Sequence, residues 1–312
     1  MRAYIIIATK GRARETRVLL DYLQRQSLPP AYTVIAGTEE KDIAGLAGHP
    51  LLDNGRGEVF VSPRVGSSCQ RNVGLETLAQ RGLFDADGAT GGERFFCAFF
   101  DDDFRPGVDW LKNAAARFDK GDIVGLTGRV LADGVTVGGY DEAQAAAFLD
   151  GTAPPAAHWA NIDAEQETDC AYGCNMAFAD TAVRQFRFDE NLPLYGWQED
   201  RDYTGQCLKI GRVVRVPSCA GVHMGVSGGR TSGLRFGYSQ IANPVYLMRK
   251  GTMSVKSALT HMAKNLAANI AKTVFPVRPD IDYAGRLRGN ARAFIDLLRG
   301  ACDPRRILGK GF

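Results

Sequence analysis

The sequence predicts an α/β fold built on an open, mostly parallel sheet. An apolar run at 5–8 is followed by a polar loop, a helix with one apolar face and a second apolar run at 33–36. This order of strand, loop, helix and strand is typical of parallel strands joined by right-handed crossovers. A chain of 312 residues, 45% of them hydrophobic, is long enough to bury such a sheet.

The individual elements follow from local patterns along the chain. The first helix carries Val18, Leu19 and Leu23 on one face, and the prolines at 29–30 stop it. Short apolar runs predict further strands at 59–61, 95–100, 122–131 and 213–217. Further helices are predicted after Ser67, from Trp110, at 142–149 and along the segment beyond residue 229.

Basic residues are concentrated near the C-terminus. Residues 226–312 contain 15 Lys and Arg against four Asp and Glu, while the formal net charge of the whole chain is only +3. Such an excess predicts an anionic partner or an anionic surface. We therefore expect a main domain at 1–226, followed at 227–312 by a Gly-rich loop and a basic helical extension.

The composition argues against several classes of protein. The N-terminal apolar run lacks a small-residue cleavage site, so it predicts a first strand and not a signal peptide. No segment has the roughly 20 consecutive apolar residues of a transmembrane helix. The seven cysteines lack metal-type spacing, which predicts free thiols in the cytoplasm and no zinc site. The aromatic residues of the C-terminal segment are spread thinly, so we expect no nucleic-acid partner.

Three carboxylates, Asp101, Asp102 and Asp103, come directly after the predicted buried strand at 95–100. Three like charges at one strand end repel one another unless a cation holds them, and a metal ion bound to diphosphate oxygens is a common partner. Ligands of open α/β sheets bind at the carboxyl ends of the strands, where this triplet and Thr9 both lie. A solvated acidic turn or a helix cap also fits the triplet taken alone.

A second acidic cluster, at 199–202, begins a predicted helix. One of its carboxylates suits a general base, although carboxylates also favour helix N-termini for electrostatic reasons. His223 follows the strand at 213–217 and leads into a Gly-rich segment that carries Arg230, a residue suited to clamping phosphates. A structural histidine and a plain linker are the alternatives for these last two features.

Six motifs in this order resemble the family-two inverting glycosyltransferases, which have the GT-A fold. The motifs are the opening strand with Thr9 and Arg12, the helix start 68–74 with Arg71, the DxD motif Asp101–Asp103, the segment 172–178, the FDE…ED residues of 188–202, and the strand that ends in His223. The resemblance spans residues 3–245 and implies a Rossmann-like catalytic domain, with a mostly parallel central sheet flanked by helices, and a basic C-terminal helical extension.

The resemblance implies metal-dependent transfer of a sugar, with inversion, from a nucleotide diphosphate to a glycan or lipid-linked saccharide. Asp200 is the expected general base, and Asp103 and His223 are the expected ligands of Mn²⁺ or Mg²⁺. The expected donor contacts are Thr9, Arg12, Arg71, Asp101, which would meet the ribose or a metal-bound water, Asp102 and Arg230. The expected acceptor contacts are Gly173, Asn175, Trp197 and Glu199. Glu199 is also expected to take part in catalysis beside Asp200, either by binding an acceptor hydroxyl or by orienting its neighbour.

One departure concerns the nucleotide base. The family commonly has an Asp after the second strand that reads the base, and this chain has the sequence 34–40, Val-Ile-Ala-Gly-Thr-Glu-Glu, at that place. The base-reading carboxylate is therefore missing or displaced to Glu39 or Asp42. A UDP-sugar is the default expectation for the donor.

The C-terminal segment bears on the acceptor. Lys256, Lys264 and Lys272 recur along a predicted amphipathic helix that also carries Val255 and Leu259. This pattern favours a peripheral contact with the cytoplasmic membrane, which suits a lipid-linked acceptor in polysaccharide or exopolysaccharide synthesis. A helix that packs on the catalytic domain with a solvated lysine face is the alternative.

Two other functions compete with glycosyl transfer. A sugar nucleotidyltransferase would carry a Gly-rich first loop followed by a Lys, and the loop at 9–12 is poor in glycine. A noncatalytic nucleotide- or glycan-binding relative would be expected to lose Asp103, Asp200 or His223, and this chain retains all three.

Overall fold

The structure is a computed structural model that describes residues 1–84, 94–226, 232–278 and 281–312. The described residues form two compact units. The first unit comprises the described parts of 1–65, 69–187 and 206–226, and the second those of 66–68, 188–205 and 232–312. The segment 188–205, which the sequence assigned to the main domain, thus clusters with the C-terminal helices. The functional boundary at residue 226 stays a prediction.

The strands all belong to the first unit. They are β1 (Arg2–Ala8), β2 (Tyr32–Gly37), β3 (Gly57–Val61), β4 (Phe95–Asp101), β5 (Phe104–Pro106), β6 (Ile123–Asp133), β7 (Gln166–Glu167), β8 (Asn175–Ala179) and β9 (Arg212–His223). The helices are α1 (Ala13–Gln24), α2 (Ser67–Gln80), α3 (Trp110–Phe118), α4 (Glu142–Leu149), α5 (Asp180–Gln185), α6 (Glu199–Cys207), α7 (Gly233–Lys250), α8 (Val255–Val274) and α9 (Tyr283–Leu298).

The strands form one mixed sheet in the order β3-β2-β1-β4-β8-β6-β9-β5, and β7 pairs with β9. β3, β2, β1 and β4 are parallel neighbours, and so are β6 and β9. β8 runs antiparallel between β4 and β6. The predicted α/β class with a largely parallel sheet is confirmed. No strand was predicted at the position of β8, and a short apolar run would in any case carry no information about strand direction.

The core of the first unit is built around β4. Its six residues 95–100 are almost fully buried because every one is apolar and the strand lies in the middle of the sheet. The Phe100 ring meets Trp110 of α3 edge-on at 4.8 Å and stacks on Phe104 at 5.6 Å. Full burial of each such side chain contributes about 1.5–3 kcal/mol. The acidic triplet therefore follows one of the most firmly anchored strands of the chain.

The second unit is built on helices α7, α8 and α9, which confirms the predicted helical C-terminal segment. Their shared core includes Tyr238, Ile241, Met262 and Ala293. Each helix begins at a side-chain cap: Ser232, Ser254 and Asp282 accept hydrogen bonds from backbone N–H groups of the first turn. Within the described ranges, no helix combines the length and the apolar character needed to cross a membrane.

Candidate active site

Strand register brings the end of β4 next to the end of β9. The short strand β5 pairs antiparallel with β9, and Phe104 lies opposite His223 in this pairing. Asp103, one residue before Phe104, therefore lies beside His223. The Met224 N–H donates to the Asp103 carbonyl at 2.9 Å and fixes this approach. Residues 120 positions apart in sequence thus meet through the hydrogen-bond ladder of the sheet.

Asp101, Asp103 and His223 form a cluster of three metal-type ligands. Each offers one ligand atom, and these atoms all lie within 4.8 Å of one another. His223 Nε2 is 3.3 Å from Asp103 Oδ1. Asp103 and His223 are buried, whereas the Asp101 side chain keeps about a third of its surface exposed. The three ligand atoms are close enough to share one divalent cation.

The hydrogen bonds of the Asp103 carboxylate indicate whether these residues fit a cation. Its Oδ2 accepts a hydrogen bond from the Val226 N–H at 2.8 Å. Its Oδ1 is buried and accepts no hydrogen bond from any described residue, although His223 Nε2 and Arg12 Nη1 lie at 3.3 and 3.5 Å. A buried carboxylate oxygen is normally hydrogen-bonded unless it serves another ligand. Since carboxylate and imidazole ligands suit Mn²⁺ or Mg²⁺, the residues present fit such an ion.

The two adjacent carboxylates at 102 and 103 differ in their electrostatics. Burial raises the pKa of Asp102 to about 7, and the neighbouring Arg12 only partly opposes this. Burial also disfavours the charged form of Asp103, but the positive charges of His223 and Arg12 outweigh it and lower the pKa of Asp103. Asp103 therefore stays ionised over the whole neutral range. The negative charge is concentrated on the residue whose oxygen lacks a hydrogen bond.

Thr9 and Arg12 both bind Asp102. Thr9 Oγ1 donates to Asp102 Oδ2 at 2.8 Å, and Arg12 Nη1 donates to Asp102 Oδ1 at 2.8 Å. Arg12 Nη2 also donates to the Val226 carbonyl at 2.7 Å. This network ties the loop after β1 to the acidic triplet and to the segment after β9. Thr9 and Asp102 are buried, so their side chains are bonded to other residues of the protein and have little contact with solvent.

Arg71 of α2 fixes the first carboxylate of the triplet. Its Nη2 donates to Asp101 Oδ1 at 2.9 Å and to the Gly173 carbonyl at 3.1 Å. The guanidinium is buried, so its charge is little screened by water. Arg71 thereby holds Asp101 at the edge of the cluster and links it to the segment that precedes β8.

Glu199 and Asp200 begin helix α6 in the second unit, after a tightly bent loop. Gly196 and Gln198 both have positive φ, +61° and +73°, and for Gln198 this conformation is strained. The Asn243 side chain of α7 donates to the Trp197 carbonyl at 2.7 Å. The Trp197 ring meets Phe236 at 6.0 Å and His261 at 6.4 Å, both edge-on. Residues of α7 and α8 therefore hold the loop that presents Glu199 and Asp200.

The third acid of α6, Asp202, has a different environment. It is fully buried, and it accepts hydrogen bonds from Lys250 Nζ at 2.7 Å and Thr252 Oγ1 at 2.6 Å. Lys250 Nζ also donates to Asp189 at 2.6 Å. This arrangement anchors the start of α6 to the end of α7. Asp202 therefore has a structural partner for each of its oxygens.

Solved structures with the same architecture are glycosyltransferases. S. aureus TarS 1–349 in complex with UDP-GlcNAc superposes with a TM-score of 0.57 at 16% identity, over 98% of this chain and 83% of that one. A mannosyltransferase from Pyrobaculum calidifontis, in complex with GDP-Man and Mn²⁺, superposes with a TM-score of 0.52 at 16% identity, over 98% of this chain and 85% of that one. GalNAc-T7 with UDP, GalNAc and Mn²⁺ superposes with a TM-score of 0.52 at 14% identity, over 89% of this chain and 59% of that one.

This chain has the GT-A fold. At such low identities the likeness establishes the fold and leaves the activity to be argued from the site. No family model and no curated protein matches the sequence.

The GT-A fold brings together part of the predicted site. Asp101, Asp103 and His223 converge in the first unit, with Arg12 and Arg71 bound to the acidic triplet. Gly173 enters this group through its carbonyl. Arg230 lies outside the described residues. The individual roles of all these residues stay predictions.

Asn175, predicted to contact the acceptor, lies at the start of β8. Its side chain is fully buried, and its Oδ1 accepts a hydrogen bond from Thr127 Oγ1 at 2.8 Å. Thr127 Oγ1 in turn accepts from the Tyr172 N–H at 3.1 Å. In the described conformation Asn175 thus shapes the segment 172–175 from inside the core.

The loop after β2 gives one of the two displaced base-reading candidates a structural role. Asp42 is fully buried. Its Oδ1 accepts from the Gly11 N–H at 2.7 Å, and its Oδ2 accepts from the backbone N–H groups of Thr38 and Glu39 and from the Thr38 hydroxyl. These bonds lower the pKa of Asp42 although burial opposes ionisation. Glu39 has a half-exposed carboxylate and remains the candidate.

Asp133 at the end of β6 is a residue of this site that the sequence analysis missed. In the parallel ladder of β6 and β9 it pairs with His223. The predicted strand ended at residue 131, whereas β6 continues to Asp133. The rule that sites lie at the carboxyl ends of strands would have found this residue, had the strand been drawn two residues longer.

Proposed function

We propose that this chain is an inverting, metal-dependent glycosyltransferase. The observation that carries the proposal is the cluster of Asp101, Asp103 and His223 on a GT-A fold, in which a buried oxygen of Asp103 accepts no hydrogen bond from the described residues. The structural neighbours named above carry UDP-GlcNAc, GDP-Man or UDP, and two of them carry Mn²⁺. These contents support a nucleotide-diphosphate sugar as the donor class, with a UDP-sugar as the default.

The donor half of the reaction falls to the first unit. Asp103 and His223 would hold Mn²⁺ or Mg²⁺, and Asp101 would bind the ribose or a cation-bound water. When bound, the ion supplies positive charge that neutralises the departing diphosphate. Arg71 keeps Asp101 in place through its hydrogen bond, and Arg12 keeps the loop after β1 closed on the acidic triplet. We assign Arg230 to the diphosphate.

The acceptor half falls to the start of α6. Asp200 accepts the proton of the acceptor hydroxyl while that oxygen attacks the anomeric carbon from the face opposite the diphosphate. The C–O bond to the diphosphate breaks as the new C–O bond forms, so the configuration inverts and no enzyme nucleophile is needed. Glu199 binds a second acceptor hydroxyl, and the Trp197 ring provides an apolar face for the saccharide.

Isothermal titration calorimetry with a panel of nucleotides tests this proposal. Wild-type protein is titrated with UDP, GDP, dTDP and CMP, each in Mn²⁺ and in EDTA. We expect one nucleoside diphosphate to bind in Mn²⁺ and to lose its affinity in EDTA. Equal affinity in EDTA would contradict the metal site, and the absence of binding by all four would favour a noncatalytic relative.

We further propose that α8 contacts an anionic membrane surface, which suits a lipid-linked glycan acceptor. Four apolar residues of α8 and the residue after it are exposed to between 50% and 75%: Val255, Leu259, Ile270, Val274 and Phe275. Lys256 and Lys264 are exposed on the same helix, while Lys272 lies over the Tyr283 ring at 5.8 Å. An apolar stripe flanked by lysines, in a segment of net charge +11, complements anionic headgroups.

Flotation with liposomes tests the membrane contact. We expect wild-type protein to float with anionic liposomes and to stay behind with neutral ones. The double variant Leu259→Ser/Phe275→Ser should lose most of this binding, whereas Val108→Ser, a control at a similarly exposed position of the first unit, should keep it. Equal flotation of all three proteins would refute the assignment.

A further inference from the structure

The environment of His223 extends beyond the three proposed ligands. We propose that Asp133 is a positioning residue that orients the His223 ring toward the cation, and that Tyr172 locks Asp133 in place. This inference rests on the metal-binding part of the proposed function. It adds two residues that carry no role in the reaction described above.

The two ring nitrogens of His223 face two different carboxylates. Nε2 lies 3.3 Å from Asp103 Oδ1, and Nδ1 lies 3.3 Å from Asp133 Oδ2. A neutral ring that binds a cation would carry its proton on Nδ1, donate it in a hydrogen bond to Asp133 and present the lone pair of Nε2 on the side of Asp103. Histidines that bind metals commonly donate their other N–H to a carboxylate, which fixes both the tautomer and the ring orientation.

The backbone is built to hold this contact. Asp133 pairs with His223 in the ladder of β6 and β9, and the Gly134 N–H donates to the His223 carbonyl at 2.8 Å. A Cβ on Gly134 would lie 1.9 Å from the Met224 carbonyl oxygen. Only glycine therefore allows the two strand ends to approach this closely. The distance between Asp133 and His223 is thus set by the sheet and not by a flexible loop.

Asp133 is itself held by two further hydrogen bonds. The Tyr172 hydroxyl donates to Oδ2 at 2.7 Å, and the Val135 N–H donates to Oδ1 at 2.9 Å. The Tyr172 ring also meets the His223 ring edge-on at 5.9 Å, so one side chain restrains both partners. The Asp133 side chain is only 5% exposed, and its hydrogen bonds are little weakened by water.

His158 provides a matched control. Its Nε2 lies 3.4 Å from the same Asp133 Oδ2, and its ring stacks on Tyr172 at 5.9 Å. It is not one of the residues whose ligand atoms form the metal-type cluster. A change at His158 therefore perturbs the same carboxylate without removing the contact between Asp133 and His223.

Electron paramagnetic resonance with Mn²⁺ alone tests the inference on the full chain. Titration gives the Mn²⁺ dissociation constant, and the spin-echo modulation from imidazole nitrogen reports whether His223 ligates the ion. His223→Ala, which should abolish the modulation, assigns the signal. We expect Asp133→Ala to weaken Mn²⁺ binding about 10- to 100-fold and to reduce the modulation. Asp133→Asn, which keeps a hydrogen-bond acceptor of the same size, should lose less Mn²⁺ affinity than Asp133→Ala. Tyr172→Phe should lower the Mn²⁺ affinity about fivefold.

The outcomes separate orientation from general stability and from the proposed function. His158→Gln should stay within twofold of wild type; a loss as large as that of Asp133→Ala would overturn the inference. Folded Asp133→Ala and Asp133→Asn proteins with wild-type affinity and modulation would also overturn it, whatever their melting temperatures. Absence of Mn²⁺ binding by wild type would remove the metal site itself. Mn²⁺ binding without nucleotide binding would overturn glycosyl transfer and leave the role of Asp133 standing.

Discussion

The two acidic clusters of this chain look alike in sequence and differ in structure. Asp103 of the first cluster is buried, one of its oxygens accepts no hydrogen bond from the described part of the chain, and it lies next to a histidine from the end of another strand. Asp202 of the second cluster is equally buried, but Lys250 and Thr252 satisfy its oxygens. The first environment leaves room for an external cation, whereas the second supplies its own.

This difference separates a binding residue from a structural one. An ionised carboxylate can be buried only if something compensates its charge. In the first unit the compensating charges are Arg12 and His223, which lie 3.5 and 3.3 Å from Asp103 Oδ1 without forming a hydrogen bond to it. In the second unit the ammonium of Lys250 lies between Asp189 and Asp202 and compensates both. The groups around a buried carboxylate therefore decide whether it is a binding or a structural residue. A run of acidic residues in the sequence does not by itself distinguish the two.

The largest expected effect concerns Asp200, two residues before Asp202. Asp200→Asn should lower the rate of sugar transfer by about 10²- to 10⁴-fold, because the amide cannot take the proton of the acceptor hydroxyl. Donor binding should be unchanged, since the donor contacts are assigned to the first unit. Initial rates with a saccharide acceptor, measured beside calorimetric donor binding, check both expectations. Near-normal turnover of the variant would show that Asp200 is not the base.

The next effect concerns Lys250, the counter-charge of Asp202 in the second unit. Lys250→Met should lower the free energy of unfolding by about 3 kcal/mol, because it leaves Asp189 and Asp202 without their shared counter-charge. Metal-dependent nucleotide binding by the folded fraction should persist. Chemical denaturation followed by circular dichroism measures the change. A loss below 0.5 kcal/mol would mean that the buried pair adds little to stability.

The same variant has a smaller, pH-dependent effect. Burial opposes ionisation of Asp189, but Lys250 and the Asn191 N–H outweigh it and lower the pKa of Asp189. Its contribution to stability is therefore present above its unfolded pKa of about 3.9 and is lost as the pH falls through the folded value. Burial also opposes the charge of Lys250, whose pKa is nevertheless raised by the same two carboxylates, so its contribution disappears only above about pH 10.5.

The stability difference between wild type and Lys250→Met should thus be largest between about pH 5 and pH 10 and shrink on either side. Denaturation curves at pH 3, 7 and 9 test the plateau and the decrease on its acidic side. A difference that stays constant down to pH 3 would show that packing, and not charge, explains the loss.

Much of the fold and the centre of the site could be predicted from the sequence. Apolar runs located β4 and the first half of β9, which continues six residues beyond the predicted end at 217. The end of β4 pointed to Asp101 and Asp103, and the family resemblance pointed to His223. The reason is that strand positions depend on local composition, and parallel sheets place strand ends at one edge. Helix α4 was predicted at its observed bounds for the same reason.

The rest depended on contacts between distant segments. Asp42 and Asp202 look like functional acids in sequence, and only their partners identify them as structural. Asp133 was missed because the predicted strand ended two residues before it, and its contact with His223, 90 residues away, depends on the register of β6 and β9. Register and counter-charges are set by the folded chain, so no local pattern reports them.

The most direct test compares metal-dependent nucleotide binding by Asp103→Asn and Asp202→Asn. The nucleotide is the one that binds wild type in Mn²⁺, and each titration is paired with a denaturation curve. We expect Asp103→Asn to lose binding by at least about 100-fold while it remains folded, since a cation ligand is removed. Asp202→Asn should keep the affinity of wild type and lose about 2 kcal/mol of stability. Wild-type affinity in Asp103→Asn, or its loss only in Asp202→Asn, would contradict the account.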